Sequence, residues 1–288
     1  MAITAALVKE LRERTGLGMM DCKKALEETD GDLEKAIEEL RKKSALKAAK
    51  KAGRTTADGL LGIKVAADGT RGAIVEVNIE TDFAAKNEKF IAFVDAVLEQ
   101  VFAAGDGDLQ ALLAAGLDAE RETLVQEIGE NITVRRAAVI ESAAGGISAY
   151  MHSDTRKGAL VELSGAAAET GRDIAMHVTA INPMVVSADQ VPAEVLDKER
   201  EIFTTQAQDS GKPADIVAKM VEGRVKKFLA EVSLVDQPFV KDPNQKVGAL
   251  AQAAGLTVNG FVRFEVGEGI EVEQEDFAAE VAAQLGQG

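Results

Sequence analysis

The chain has 288 residues, 46% of them hydrophobic but only 4% aromatic and none tryptophan, so its core must be built from Ala, Val, Leu and Ile, which favours several small modules over one large globule. A formal charge of −15 leaves no basic footprint for non-specific nucleic-acid binding, and direct contact with nucleic acid is not expected. The single cysteine, Cys22, excludes an intramolecular disulfide and fits a reducing compartment.

Residues 4–41 read as three short helices. Thr4 caps the first, with Leu7, Val8 and Leu11 on one face; Thr15-Gly16-Leu17-Gly18 breaks it, and Met19 through Leu26 form the second. Asp30-Gly31-Asp32 turns the chain into a third helix carrying Leu33, Ala36, Ile37 and Leu40. Met19 and Met20 are adjacent and cannot both face one helix core. One of them is expected to be an adaptable surface anchor, the plainer alternative being a loosely packed bundle with Met as filler. From Arg41 to Arg54 there are seven basic residues and no acidic one, read as a solvated helical linker that ends at a module boundary, Gly53-Arg54-Thr55-Thr56. Residues 1–54 hold 13 Lys and Arg against 10 Asp and Glu, while the rest holds 20 against 38, so the two parts differ in character.

Next comes a strand-like alternation, Gly72-Ala73-Ile74-Val75-Glu76-Val77-Asn78-Ile79, and then a helical pattern through Phe90, Ile91, Phe93, Val94 and Val97. Between them lies Thr81-Asp82-Phe83-Ala84-Ala85-Lys86-Asn87. Thr81 or Asp82 suits an N-cap, which puts Phe83 in the first turn after a strand-to-helix corner. Burial statistics favour a Phe folded back onto its own sheet. The rest of the chain argues otherwise. Shifted by 86 residues, Gly72-Ala73-Ile74-Val75-Glu76-Val77 falls on Gly158-Ala159-Leu160-Val161-Glu162-Leu163, with polar turns at Asp68-Gly69-Thr70 and Ser153-Asp154-Thr155. Each copy reads as a hairpin followed by a helix, but Thr81-Asp82-Phe83 lies opposite Ala167-Ala168-Glu169. The packing shared by the two copies does not require the aromatic corner, which points toward function.

Between Val185 and Leu234 two helices form a hairpin. One opens at Val191-Pro192; the other follows the turn Asp209-Ser210-Gly211-Lys212-Pro213, with Pro213 suited to the first helical position. Strand patterning resumes at Phe261-Val262-Arg263-Phe264-Glu265-Val266, and Phe277 to Leu285 reads as a closing amphipathic helix. The start, Met1 to Glu10, has neither the basic nor the long apolar region of a secretory signal, and no run approaches the roughly 18 apolar residues of a membrane span. A soluble, cytoplasmic chain is expected.

The inventory for catalysis is thin. His152 and His177 stand 25 residues apart, a spacing that suits structural or partner-contacting roles better than metal ligation. Gly267-Glu268-Gly269-Ile270 lacks the third glycine of a dinucleotide cradle, and Gly105-Asp106-Gly107-Asp108 lacks calcium-loop spacing. An enzyme is disfavoured, and no cofactor is expected.

Two long segments carry a resemblance. Leu11-Arg12-Glu13-Arg14-Thr15-Gly16-Leu17-Gly18-Met19-Met20-Asp21-Cys22-Lys23-Lys24-Ala25-Leu26 and Thr81-Asp82-Phe83-Ala84-Ala85-Lys86-Asn87 resemble the signature segments of bacterial elongation factor Ts. Lys219-Met220-Val221-Glu222-Gly223-Arg224 and Phe264-Glu265-Val266-Gly267-Glu268-Gly269 look like further family blocks, so the likeness spans essentially the whole chain. Two departures are small: the family commonly has Val where Ala84 stands and Ala where Leu17 stands.

The resemblance implies an α+β fold. Its parts would be a ubiquitin-associated-like helical domain with its linker (1–54) and a duplicated core of antiparallel sheets with helices (55–144, then 145–184 with 233–266). An inserted coiled-coil hairpin (185–232) and a C-terminal helical module (267–288) complete it. The resemblance further implies guanine-nucleotide exchange on elongation factor Tu, a GTPase. Thr81, Asp82, Phe83 and Ala84 would dislodge the partner's Mg²⁺, with Phe83 wedging among partner side chains. Leu11, Met19, Met20, Ile128, Gly129 and His152 would be partner contacts, since the stretch Ile128-Gly129-Glu130-Asn131 and the face near His152 resemble contact regions of the family. The residues leave the oligomeric state open, a homodimer or a 2:2 complex among the options. They also admit a rival of another class, a scaffold that binds a helix or peptide through its N-terminal helices without exchanging nucleotide.

Overall fold

The Thr4 hydroxyl accepts from the Leu7 N–H at 3.3 Å and so starts α1 (Ala5–Thr15), which Gly16 stops with a φ of +72°. A computed structural model describes this helix and the rest of residues 3–208 and 213–271. α2 (Met19–Glu28) and α3 (Leu33–Lys51) complete a three-helix bundle around Val8, Leu11, Leu17, Cys22, Ala25, Leu26, Ala36 and Leu40. Both methionines, and not one alone, lie at the surface. Neither packs inward: Met19 is 60% exposed and Met20 74%, because Cys22, Ala25 and Leu26 take the inward face of α2.

The basic run also differs from a solvated linker. It continues α3 without a break and is solvated on one face only; Ser44 and Ala48 are buried on the other. Ser44 Oγ donates to Gln126 at 2.7 Å and Ala48 joins the core of the following sheet, so the bundle is docked onto its neighbour. The lysines of the solvated face pair with nearby carboxylates, Lys42 with Glu38 at 3.0 Å and Lys47 with Asp21 at 3.7 Å.

The first sheet is antiparallel, with β1 (Asp58–Val65), β2 (Arg71–Ile79) and β3 (Ile132–Glu141) in that order. Between β2 and β3 the chain makes α4 (Asp82–Ala85), α5 (Glu88–Ala104), α6 (Leu109–Leu112) and α7 (Asp118–Ile128). Phe90, Phe93, Val94, Val97, Leu98 and Val101 of α5 pack on Ala73, Val75, Val77 and Ile79 of β2. The second half repeats the scheme with β4 (Ile147–Met151), β5 (Lys157–Leu163) and α8 (Ala168–Ile181). Before its third strand come α9 (Ala193–Gln208), α10 (Ala214–Val232), β6 (Pro238–Phe239), β7 (Asp242–Lys246) and α11 (Val247–Ala253). Then β8 (Val258–Glu265) closes a sheet of order β4-β5-β8. Leu61 and Ile74 from the first sheet meet Ile147, Leu160, Phe264 and Val266 from the second, so the two sheets pack face to face with helices outside.

The glycine that heads each repeat sits at this contact. A Cβ on Gly72 would lie 2.8 Å from Ile147 Cγ2, and one on Gly158 would lie 2.6 Å from Ile63 Cδ1. The sheets meet too closely there for a side chain. α9 and α10 run antiparallel, with Phe203 edge-on to Phe228 at 6.5 Å and Arg224 donating to Gln206 at 2.7 Å. Pro213 stands one residue earlier than expected: its ψ of 149° makes it the residue before the first helical one, Ala214. The closing helix expected at Phe277 to Leu285 lies outside the described residues.

Candidate functional site

β2 carries the chain to Ile79, paired with Ile132 at the start of β3, and this register sets the α7–β3 turn beside the strand-to-helix corner. Thr81 is the N-cap: extended itself (φ −128°, ψ 154°), it accepts from the Ala84 N–H at 3.2 Å, which leaves Asp82 as the first helical residue. The Lys86 ammonium donates to the Asp82 carboxylate at 2.8 Å and lies 5.5 Å from the centre of the Phe83 ring. That hydrogen bond from Lys86 holds the Asp82 carboxyl below the ordinary carboxylate range, with Arg156 adding a smaller share, so Asp82 is ionised at neutral pH. Phe83 is 83% exposed, more than any other large apolar side chain among the described residues. The expectation from burial statistics fails because Ala85, not Phe83, is the α4 residue that enters the core.

Two carboxylates hold this corner from beneath. Glu130 accepts from the Thr81 N–H at 3.0 Å and from its hydroxyl at 2.8 Å. Glu80 accepts from the Asn131 N–H at 2.5 Å, and the Asn131 side chain in turn donates to the Arg54 carbonyl at 3.0 Å. The corner, the α7–β3 turn and the chain leaving α3 are thus joined in one hydrogen-bonded cluster.

The family model described as "Elongation factor TS" matches residues 80–268, about two thirds of the sequence. Proteins named elongation factor Ts from Saccharophagus degradans and Cellvibrio japonicus are 59% and 58% identical to it, over 99% of this chain and 98% and 97% of theirs. One from Hahella chejuensis is 58% identical over 99% of both. The chain belongs to the elongation factor Ts family. The elongation factor Ts match opens at Glu80, immediately before the Thr81 cap, and closes at Glu268, which pairs with Arg136 at 3.2 Å.

The residues singled out by the elongation factor Ts resemblance are placed unequally. Gly129, with a φ of +88°, ends α7 exposed beside the corner, and Ile128 is half-buried against the first sheet's core. His152 is exposed in the β4–β5 turn, its Nδ1 3.2 Å from Asp154. This turn is tied to the start of β1, where its Arg156 pairs with Asp58, the residue that faces Ile79 across the sheet. Leu11 needs correction. It is fully buried in the bundle core, and a side chain with no exposed surface gives a partner nothing to touch, so its part is to hold α1 in place. Met19 and Met20 are connected to the corner through the Gly16 loop, whose carbonyl accepts from Lys89 at 3.4 Å in the first turn of α5. Lys89 also pairs with Glu127 at 2.8 Å.

Glu80 was not among the residues the sequence suggested, and Glu130 was suggested only as part of a contact stretch. The available signal was weak: Glu130 lies within the resembling stretch Ile128-Gly129-Glu130-Asn131, but its link to Thr81 depends on the β2–β3 register. Among the described residues no group of three or more His, Cys, Asp or Glu is placed to hold a metal, and no helix is long and apolar enough to cross a membrane.

Proposed function

We propose that the chain is a guanine-nucleotide exchange factor for elongation factor Tu, acting in the cytoplasm during translation elongation and performing no bond chemistry of its own. The observation that carries this reading is Phe83, an aromatic ring held out into solvent on a four-residue helix whose start is fixed by Thr81 and Glu130. An exposed ring on a rigid corner is suited to insertion between side chains of a partner. In this reading the bundle of residues 1–54, ubiquitin-associated-like in type, docks on the GTPase through Met19 and Met20. Gly129 and His152 extend the contact. The duplicated core supplies the frame, and the hairpin of 185–232 is a coiled-coil insertion.

The mechanism follows from charge. Mg²⁺ offsets the negative charge of the nucleotide phosphates, so loss of its coordination weakens nucleotide binding. With Phe83 wedged near the metal site and the ionised Asp82 beside it, the Thr81–Ala84 corner disturbs the partner groups that hold the ion. The factor binds the empty GTPase more tightly than the loaded one, and by linkage nucleotide loosens the factor in the same ratio, each tenfold being about 1.4 kcal/mol.

The test is release of a fluorescent GDP analogue from elongation factor Tu. Acceleration at substoichiometric amounts of this chain is the expected result. Binding without acceleration would overturn the reading in favour of a docking scaffold, which the exposed methionines of α2 alone would satisfy.

A further inference from the structure

The two carboxylates beneath the corner form a reciprocal clasp. Glu80 precedes Thr81 and accepts the N–H of Asn131; Glu130 precedes Asn131 and accepts the N–H of Thr81. Each acidic residue therefore binds the backbone of the residue that follows the other. Glu130 does more than its counterpart, because its second oxygen also takes the Thr81 hydroxyl proton at 2.8 Å. With that proton committed to Glu130, a lone pair of the same Thr81 oxygen is free to accept the Ala84 N–H and cap α4. The order of contacts runs from Glu130 to Thr81 to Ala84, and so along the helical turn that carries Asp82 and Phe83.

None of the four clasp residues is part of the hydrophobic core. α4 is one turn long and too short to hold its shape by itself. Of its side chains Ala85 is buried in the hydrophobic core and Ala84 packs partly buried against it, while Phe83 stays outside. Carboxylate acceptors are stronger than neutral ones, and here two such bonds converge on one residue from one side chain.

We infer that Glu130 is a positioning residue for nucleotide exchange: it touches neither metal nor nucleotide, and it fixes the direction in which Phe83 and Asp82 are presented. The inference rests on the exchange reading above. Without the clasp the factor still docks through its other surfaces, but the corner samples several orientations and only a fraction of encounters disturbs the metal site. The loss then falls on the maximal exchange rate and not on the concentration of factor needed.

The experiment measures release of a fluorescent GDP analogue from elongation factor Tu as a function of factor concentration, for the full chain and for Glu130→Ala and Glu130→Gln. Glu130→Ala is expected to lower the maximal rate about tenfold while the half-saturating concentration stays within about twofold. Glu130→Gln keeps an acceptor for the Thr81 N–H and is expected to recover the rate to within about threefold of wild type. Amide hydrogen exchange of the free proteins should show faster exchange over residues 81–85 in Glu130→Ala alone.

A Glu130→Ala protein as fast as an active wild type overturns the inference, as does a loss that lies wholly in the half-saturating concentration. A loss that Gln does not recover also overturns it, since the charge itself would then matter to the partner. Should Glu130→Ala fail to fold, Glu130→Asp shortens the reach while keeping the charge. It is expected to lose maximal rate in the same way, and an Asp variant with full rate overturns the inference. Failure of the exchange reading looks different: wild type itself gives no acceleration.

Discussion

Glu76 and Glu162 hold the same place in the two halves of the duplicated core and meet opposite surroundings. Glu76 is fully buried between the sheets, where it accepts from Arg135 at 3.0 Å, Asn78 at 3.0 Å, the Gly267 N–H at 2.8 Å and Arg136. Glu162 is half exposed, with Asn259 at 3.5 Å as its neighbour. Burial pushes the Glu76 carboxyl upward, but the hydrogen bonds from Gly267, Arg136, Arg135 and Asn78 outweigh it and hold the group below the ordinary range.

Removing the buried carboxylate strands its partners, so Glu76→Ala is expected to destabilise the fold by about 3–5 kcal/mol, whereas Glu162→Ala costs under about 1 kcal/mol. Denaturant unfolding of the two variants side by side checks the difference. Because the folded-state pKa of Glu76 is depressed, its contribution is complete above the ordinary Glu value and is lost as the pH falls through the folded value. Glu76→Gln should flatten that acid limb.

His177 gives a second pH dependence, of a different origin. It is buried in α8, where the Gln237 side chain, oriented by its donation to the Glu231 carbonyl at 2.6 Å, faces Nε2 at 2.9 Å. The Val240 N–H donates to Nδ1 at 3.1 Å, so the ring is neutral with its proton on Nε2. Burial depresses its pKa, only partly offset by Gln237. The unfolded chain then takes up a proton first: the stability that His177 supplies is complete above about pH 6.5 and is lost as the pH falls below it. Melting temperatures should drop between about pH 7 and pH 5, and less so in His177→Asn, which at neutral pH is itself less stable by about 1–3 kcal/mol. Equal slopes in both proteins would exclude His177 as the source.

Met19 and Met20 give the bundle core nothing, so Met19→Ala/Met20→Ala should leave stability within about 0.5 kcal/mol of wild type. In the proposed exchange reading they anchor docking and should matter to association. The half-saturating factor concentration is expected to rise about tenfold, with a far smaller change in maximal rate. A titration of nucleotide release against factor concentration separates the two effects.

Removal of Mg²⁺ tests where the corner acts. If the Thr81–Ala84 segment works by disturbing the partner's metal, chelation does that work in advance. The ratio of wild-type to Phe83→Ala release rates, tenfold or more with Mg²⁺ present, should fall to within about threefold once the ion is removed. An unchanged ratio would mean that Phe83 acts elsewhere.

Much of the frame was legible because its signals are local. The repeat shows in Gly72 and Gly158, whose lack of a side chain answers to the same sheet contact twice. The corner shows in Thr81 and in the absence of a counterpart at Ala167-Ala168-Glu169, where the second copy enters α8 directly. What was hidden depends on tertiary placement. Glu130 and Thr81 are 49 positions apart and meet only through strand register. Ser44 and Ala48 look like an Ala-rich solvated face until α7 is laid against them. Met20 cannot be told from a core methionine by spacing, since its exposure depends on which face of α2 the small residues Cys22 and Ala25 occupy.

The central claim is that Phe83, held out by its capped corner, drives exchange without being needed for docking. The most direct measurement is the maximal rate of GDP-analogue release from elongation factor Tu with saturating Phe83→Ala protein. The account predicts a fall of about ten- to a hundredfold, with the half-saturating concentration within about threefold of wild type. A Phe83→Ala protein that reaches the wild-type maximal rate would contradict it.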